Sequence, residues 1–122
     1  MGKDFLDLGG RVALITGAGQ GIGRQIALHF AGQNCGGVAV NDYVLERAES
    51  VAEEIRAAGA NAFPIQGDVT DFENVQSMVQ QINSELGPIG ILINNAGNSG
   101  ATPIDPDMSG KPFWEIGPAG WA

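Results

Sequence analysis

The sequence is short of the residues on which most chemistry leans: one cysteine, one histidine and one tyrosine in 122 positions, and 6 lysines and arginines against 14 aspartates and glutamates. A lone Cys35 cannot close a disulfide within the chain, so a packing role and a reducing compartment are expected. His29 has no second histidine or cysteine with which to share a metal, and reads as a solvated or partly packed side chain. A formal charge of −8, with no basic patch to override it, argues against nucleic acid and anionic membranes as partners. No apolar run reaches the length of a membrane span. The opening MGKDFLDLGG lacks the apolar block of a signal peptide, and Leu6 stands where myristoylation at Gly2 would need serine or threonine. The expectation from these absences is a cytoplasmic protein.

Glycine, by contrast, is abundant, and its densest stretch organises the rest. Val12 to Gly23 reads VALITGAGQGIG. Val12 to Ile15 suits a strand buried on both faces, as in a parallel sheet. Gly17, Gly19, Gly21 and Gly23 then strip away every second side chain, so the backbone can turn sharply and bring its N–H groups close to a ligand. A helix starting near Gly21 would aim those amides and its positive dipole end at an anion, which suits a phosphate. The spacing is Gly17-x-x-x-Gly21-x-Gly23. A G-x-G-x-x-G run begun at Gly19 would need a third glycine where Arg24 stands, and no Lys-Ser or Lys-Thr pair follows to make a P-loop.

Strands and helices alternate from there. Ile22, Ile26, Ala27 and Phe30 mark the apolar face of a first helix, ended by Gly32. Val38 to Val40 is a second buried strand closed by Asn41 and Asp42. A second helix runs from Val44 to Ala58 with Gly59 as its left-handed stop, and Arg47 falls on its wet side. Ala62 to Ile65 is a third strand, placed at a sheet edge by Pro64. Thr70 and Glu73 form a capping box for a third helix through Leu86, ended by Gly87 and Pro88. Ile89 to Ile93 makes a fourth buried strand. The implied class is α/β: a Rossmann-type doubly wound parallel sheet, truncated after the fourth strand. In such sheets ligands gather at the carboxyl ends of the strands, which here are Gly17, Asp42, Asp68 and Asn95. Asp42 lies 19 residues after Gly23, close to the spacing of an acid that holds a ribose, and that role can coexist with capping the second helix.

Thr16-Gly17-x-x-x-Gly21-Ile22-Gly23 together with Asn94-Asn95-Ala96-Gly97 resembles the short-chain dehydrogenase/reductase family, over about Leu8 to Gly97. By that resemblance Gly17, Gln20 and Ile22 contact the adenosine and diphosphate part of a nicotinamide cofactor, and Asp68-Val69 is similar to the family's adenine-contacting pair. Asn95, Ala96 and Gly97 border a ribose, and Asn94 braces the sheet. The resemblance implies an oxidoreductase moving hydride between NAD(P) and an alcohol or ketone, and a homo-oligomer when full length. NAD is expected over NADP because Asp42 is acidic, while Gln20 and Tyr43 fill the slots where NADP-users carry a basic residue.

The departures are equally informative. A family member is about twice this long, and its catalytic serine and Tyr-x-x-x-Lys have no counterpart here; Tyr43 with Arg47 follows the wrong strand and offers a guanidinium where a tunable amine is needed. Residues 1–97 are thus expected to form the dinucleotide-binding half, and 98–122 a loop with four prolines and four glycines leading to a C-terminal half. Trp121 resembles the start of the helix that follows in the family. Asp105 to Ser109 superficially resembles a calcium loop, but Ile116 occupies the position of its bidentate glutamate. Two other readings share the glycine pattern: a methyltransferase holding S-adenosylmethionine, in which Asn94 to Gly97 would have no job, and a nucleotide-binding module without catalysis.

Overall fold

The computed structural model describes residues 7–96. Four strands, β1 (Val12–Ile15), β2 (Gly37–Asp42), β3 (Ala62–Gln66) and β4 (Ile89–Ile93), alternate with three helices, α1 (Gly21–Ala31), α2 (Leu45–Ala57) and α3 (Phe72–Glu85). The strands form one sheet in the order β3-β2-β1-β4, with every neighbouring pair parallel. Parallel neighbours need a helical crossover between them, and the three helices supply it. No helix among the described residues is long and apolar enough to cross a membrane.

The pleat sorts the side chains into two cores. Ile15, Val38 and Val40 pack with Ala27 of α1 and with Ala48, Val51 and Ile55 of α2. Val12, Leu14, Ala39 and Ile65 face the other way and pack on Met78 and Ile82 of α3. Strands covered on both faces must be apolar at every position, which explains the unbroken runs in β1 and β2. α2 ends as expected: Gly59 has φ +92, and its N–H and that of Ala60 reach back to the carbonyls of Arg56 and Ile55 at 2.9 and 3.2 Å, the paired bonds of a Schellman cap.

Three local expectations are corrected. α3 is capped not by Thr70 but by Asp71, whose carboxylate accepts from the backbone N–H of Asn74 at 3.2 Å. Thr70 is held outside the helix by Asp68, which accepts its N–H at 2.9 Å and its hydroxyl at 2.6 Å. Asp42 does not cap α2 either: the N-cap position is Val44, and Asp42 instead accepts the Val44 N–H at 2.9 Å in an Asx turn just before the helix. Finally, β4 is not a buried strand. Among the described residues β1 is its one neighbour, and Leu92 is 54% exposed. Its register also shifts: Val12 pairs with Ile89 but Ala13 with Ile91, so Gly90 is the extra residue of a bulge. Pro64 falls on β3, the opposite edge, where a missing N–H is tolerated.

Candidate functional site: a cleft at the carboxyl ends of the strands

All four strand ends open onto one cleft of about 440 Å³, lined by Gly17, Gln20, Gly21 and Ile22 from the glycine turn, Asn41 to Tyr43 after β2, Gly67 to Val69 after β3, and Asn95 and Ala96 after β4. The sequence-expected residues Gly17, Gln20, Gly21, Ile22, Asp42, Asp68, Val69, Asn95 and Ala96 thus come together. Gly23 does not line the cleft. A Cβ there would collide with the Gly17 carbonyl oxygen and with Asn95 Nδ2, so its glycine is required by close packing behind the turn. Gly97 and the stretch from Asp105 to Ile116 lie outside the described residues, as does the rest of 98–122.

The glycine turn is built for backbone approach. Gly17 has φ +61, and a Cβ on it would meet Ala96 Cα at 2.9 Å, so side chains are barred by conformation and by space at once. α1 follows with Gln20 as its N-cap residue, and no side chain caps its first turn. The amides of that turn have no side-chain partner, and Gln20, Gly21 and Ile22 line the cleft beside them, an arrangement that favours an anion.

A single hydroxyl ties the first and fourth strand ends. Thr16 is buried, and its Oγ1 accepts the backbone N–H groups of Asn95 and Ala96, both at 3.0 Å, while donating weakly to the Ile93 carbonyl at 3.4 Å. Asn95 adds a bond from Nδ2 to the Gly17 carbonyl at 3.2 Å. The bracing expected of Asn94 is therefore performed by Asn95, and Asn94 is exposed.

The acids are similarly engaged. Asp42 is 6% exposed, and its two carboxylate oxygens each accept a backbone N–H, Oδ2 from Gly19 at 3.1 Å and Oδ1 from Val44 at 2.9 Å. It clamps the glycine turn to the end of β2. Asp68 holds Thr70 as described, and the Thr70 hydroxyl, aided by its N–H, keeps the Asp68 carboxyl below the usual carboxylate range. Asn41 is fully buried beneath and donates to the carbonyls of Ile65 and Gly67 at 3.1 and 3.4 Å, fixing the end of β3 relative to β2. Sequence reasoning passed over Asn41 as strand punctuation. Arg47 is exposed on the wet face of α2, as expected, and it also joins the cleft wall, which the helical pattern does not indicate. The available signal was position: the first turn of a helix that follows a strand end stands beside the rim.

Comparison with known proteins places this geometry in context. The profile of a family described as short chain dehydrogenase matches residues 11–115. The chain is 40% identical over 107 residues to 7α-hydroxysteroid dehydrogenase of Escherichia coli K12, covering 88% of this chain and 42% of that protein. It is 47% identical over 87 residues to the 3-oxoacyl-[acyl-carrier-protein] reductase FabG of Staphylococcus aureus, covering 70% of this chain and 35% of the relative. Among solved structures, a 7α-hydroxysteroid dehydrogenase complexed with NADH and 7-oxo glycochenodeoxycholic acid superposes with a TM-score of 0.77 at 36% identity, over 94% of this chain and 43% of that one. A short-chain type dehydrogenase/reductase from Mycobacterium marinum gives 0.76 at 39% identity, over 92% and 42%. The chain spans less than half the length of these relatives.

Proposed function

We propose, from the premise that this chain belongs to the short-chain dehydrogenase/reductase family, that it forms the cofactor-binding part of an NAD(P)-dependent oxidoreductase acting on a small alcohol or ketone. The observation that carries the proposal is the convergence of the glycine turn, Asp42, Asp68-Val69 and Asn95-Ala96 on one cleft. When bound, the nicotinamide cofactor supplies hydride chemistry. The chain's own residues grip and orient. The uncapped first turn of α1 and the bare backbone at Gly17 suit a diphosphate. Asp42 has spent one lone pair of each carboxylate oxygen on the backbone, and each oxygen keeps another, which suits the two hydroxyls of a ribose. Gly67, Asp68 and Val69 wall the side of the cleft where an adenine would lie.

NAD is the preferred form in this proposal. A 2′-phosphate beside Asp42 brings about −1.5 to −2 charges against a carboxylate, and one unit-charge pair at about 4 Å and an effective dielectric of 20 costs about 4 kcal/mol. Solvent screening leaves about 2 to 3 kcal/mol, roughly thirty- to a hundred-and-fifty-fold in affinity. A cytoplasmic location and a homo-oligomeric full-length form complete the proposal, supported by the acidic, cysteine-poor composition and by the family resemblance respectively.

The test is a titration of the 122-residue chain with NADH, NADPH and S-adenosylmethionine, followed by cofactor fluorescence and by calorimetry. NADH is expected to bind most tightly, and Asp42→Ala to narrow its margin over NADPH. Binding of S-adenosylmethionine with no binding of either nicotinamide cofactor would overturn the proposal.

A further inference from the structure

The stripe of α3 that packs on the sheet continues past the ends of the strands. Met78 and Ile82 are buried against residues of β1, β2 and β3, and Asn74 stands one turn before Met78 on the same helical face. By then the sheet has ended: β3 stops at Gln66, and the chain goes on as Gly67, Asp68 and Val69, which line the cleft. Met78 fills the space that a side chain at Gly67 would need, so this segment lies directly against α3. Asn74 is half-buried and meets it with a polar group: its side-chain oxygen accepts the backbone N–H of Asp68.

That bond is not the one a helix start calls for. In a capping box the third helical residue reaches back to the N–H of the cap residue. Here Asp71 is the cap and accepts the Asn74 N–H at 3.2 Å, but the Asp71 N–H goes to the Asp68 carbonyl at 3.2 Å. The Asn74 side chain passes the cap and reaches six residues back to Asp68. Asp68 lies outside the helix, so the bond satisfies no amide of its first turn; what it fixes is the backbone that carries Asp68 and Val69. Asn41 holds the Gly67 carbonyl from the sheet side at 3.4 Å. Asp68 Oδ1 takes both bonds from Thr70, and Oδ2 takes none among the described residues.

We infer that Asn74 is a positioning residue for the base of a bound dinucleotide: by fixing the Asp68 backbone it holds the Asp68 carboxylate at the cleft wall, where Oδ2 accepts an exocyclic amino group and favours adenine over a base with an oxo group in that place. The inference rests on the dinucleotide reading of the cleft proposed above. A hydrogen bond to a charged acceptor accounts for about tenfold in affinity, and an oxo group facing a carboxylate gains none of it.

The experiment titrates NADH and its deamino analogue, in which hypoxanthine replaces adenine, into the unmodified chain and into Asn74→Ala, Asn74→Gln and Asn74→Asp, followed by cofactor fluorescence and accompanied by urea melts. The unmodified chain is expected to prefer NADH about tenfold, and Asn74→Ala and Asn74→Gln to bring the two within about threefold by weakening NADH alone. Asn74→Gln puts the capping-box residue at the third helical position, so α3 is kept and a loss of base discrimination there is not a loss of folding. Asn74→Asp is expected to keep the preference, because a carboxylate still accepts the Asp68 N–H and a helix N-terminus favours its charge. Asn74→Ala and Asn74→Gln chains that keep the full preference, whether or not both affinities fall, would overturn the role of Asn74 and leave the dinucleotide reading standing, as would an unmodified chain that binds the two alike. Binding of neither dinucleotide to the unmodified chain would overturn both.

Discussion

Replacing Thr16 with valine tests whether one hydroxyl holds the cleft together. Valine keeps the shape and the methyl group of threonine but removes Oγ1, the acceptor for the N–H groups of Asn95 and Ala96, each at 3.0 Å. Thr16 itself is buried, whereas Asn95 is half-buried and Ala96 exposed. A donor left unpaired in a dry site costs about 1 to 3 kcal/mol; here Ala96 can recover water and Asn95 only in part, so a loss of about 1 to 2 kcal/mol is expected. At about 4 °C per kcal/mol for a domain of this size, Tm falls by about 4 to 8 °C. Thr16→Ser, which keeps the acceptor, is expected to lose less than half as much. Urea melts give the stability change, and hydrogen exchange at the Asn95 amide shows whether the loss is local. A Thr16→Val chain within about 0.5 kcal/mol of the parent, with Asn95 equally protected from exchange, would refute the reasoning.

Gly23→Ala is expected to abolish NADH binding measured by fluorescence, because the added methyl collides with the Gly17 carbonyl and the turn must move; an unchanged affinity would show that the turn has slack. Arg24 and Glu54 join α1 to α2 through two bonds, Nε to Oε1 at 3.0 Å being one, but both side chains are more than a third exposed. A double-mutant cycle with Arg24→Gln and Glu54→Gln should therefore give a coupling of only about 0.5 to 1 kcal/mol. Hydrogen bonds hold three carboxyls below their usual range, Asp68 through Thr70, Glu54 through Arg24 and Asp7 through Asn34. A depressed carboxyl stabilises the fold above its unfolded value and loses that contribution as pH falls through the folded one. Urea midpoints should accordingly be flat from about pH 5 to 8 and decline below about pH 4, and Asp68→Asn should soften that decline.

Element order was legible because helices end on residues with a physical reason to end them, Gly59 in the left-handed region and Gly87 after α3, and because Pro64 within β3 marks an edge strand. What sequence could not supply was competition between neighbours. Thr70 and Asp71 are both good caps, and the choice falls to Asp71 because Asp68 has already engaged Thr70. Ile89 to Ile93 reads as doubly buried, yet burial depends on what stands beside and above a strand, and with β1 as its one neighbour among the described residues Leu92 is open. Asn94 and Asn95 are the same residue type one step apart, so only the backbone can say which of them faces Gly17. Arg47 is exposed on α2 as its place in the helical pattern implies, but that pattern reports which face meets the core and is silent about which end meets the cleft.

The bonds that line the cleft run almost entirely from side chain to backbone. Thr16 holds the amides after β4, Asn95 the carbonyl of Gly17, Asp42 the amides of Gly19 and Val44, and Asn41 the carbonyls of Ile65 and Gly67. Each fastens one strand end to a neighbouring segment, and together they span all four. The positions of the glycine turn and of the loops after β2, β3 and β4 are thus fixed before any ligand arrives. Ordering mobile loops subtracts from affinity, about 0.5 to 1.5 kcal/mol for each immobilised side chain, and a cleft braced in this way has little of that cost left to meet. The same economy explains why its walls carry so few free polar side chains. Asp42, Asn41 and Asn95 do structural work with one set of atoms and leave the remaining lone pairs and the bare amides of α1 to a ligand.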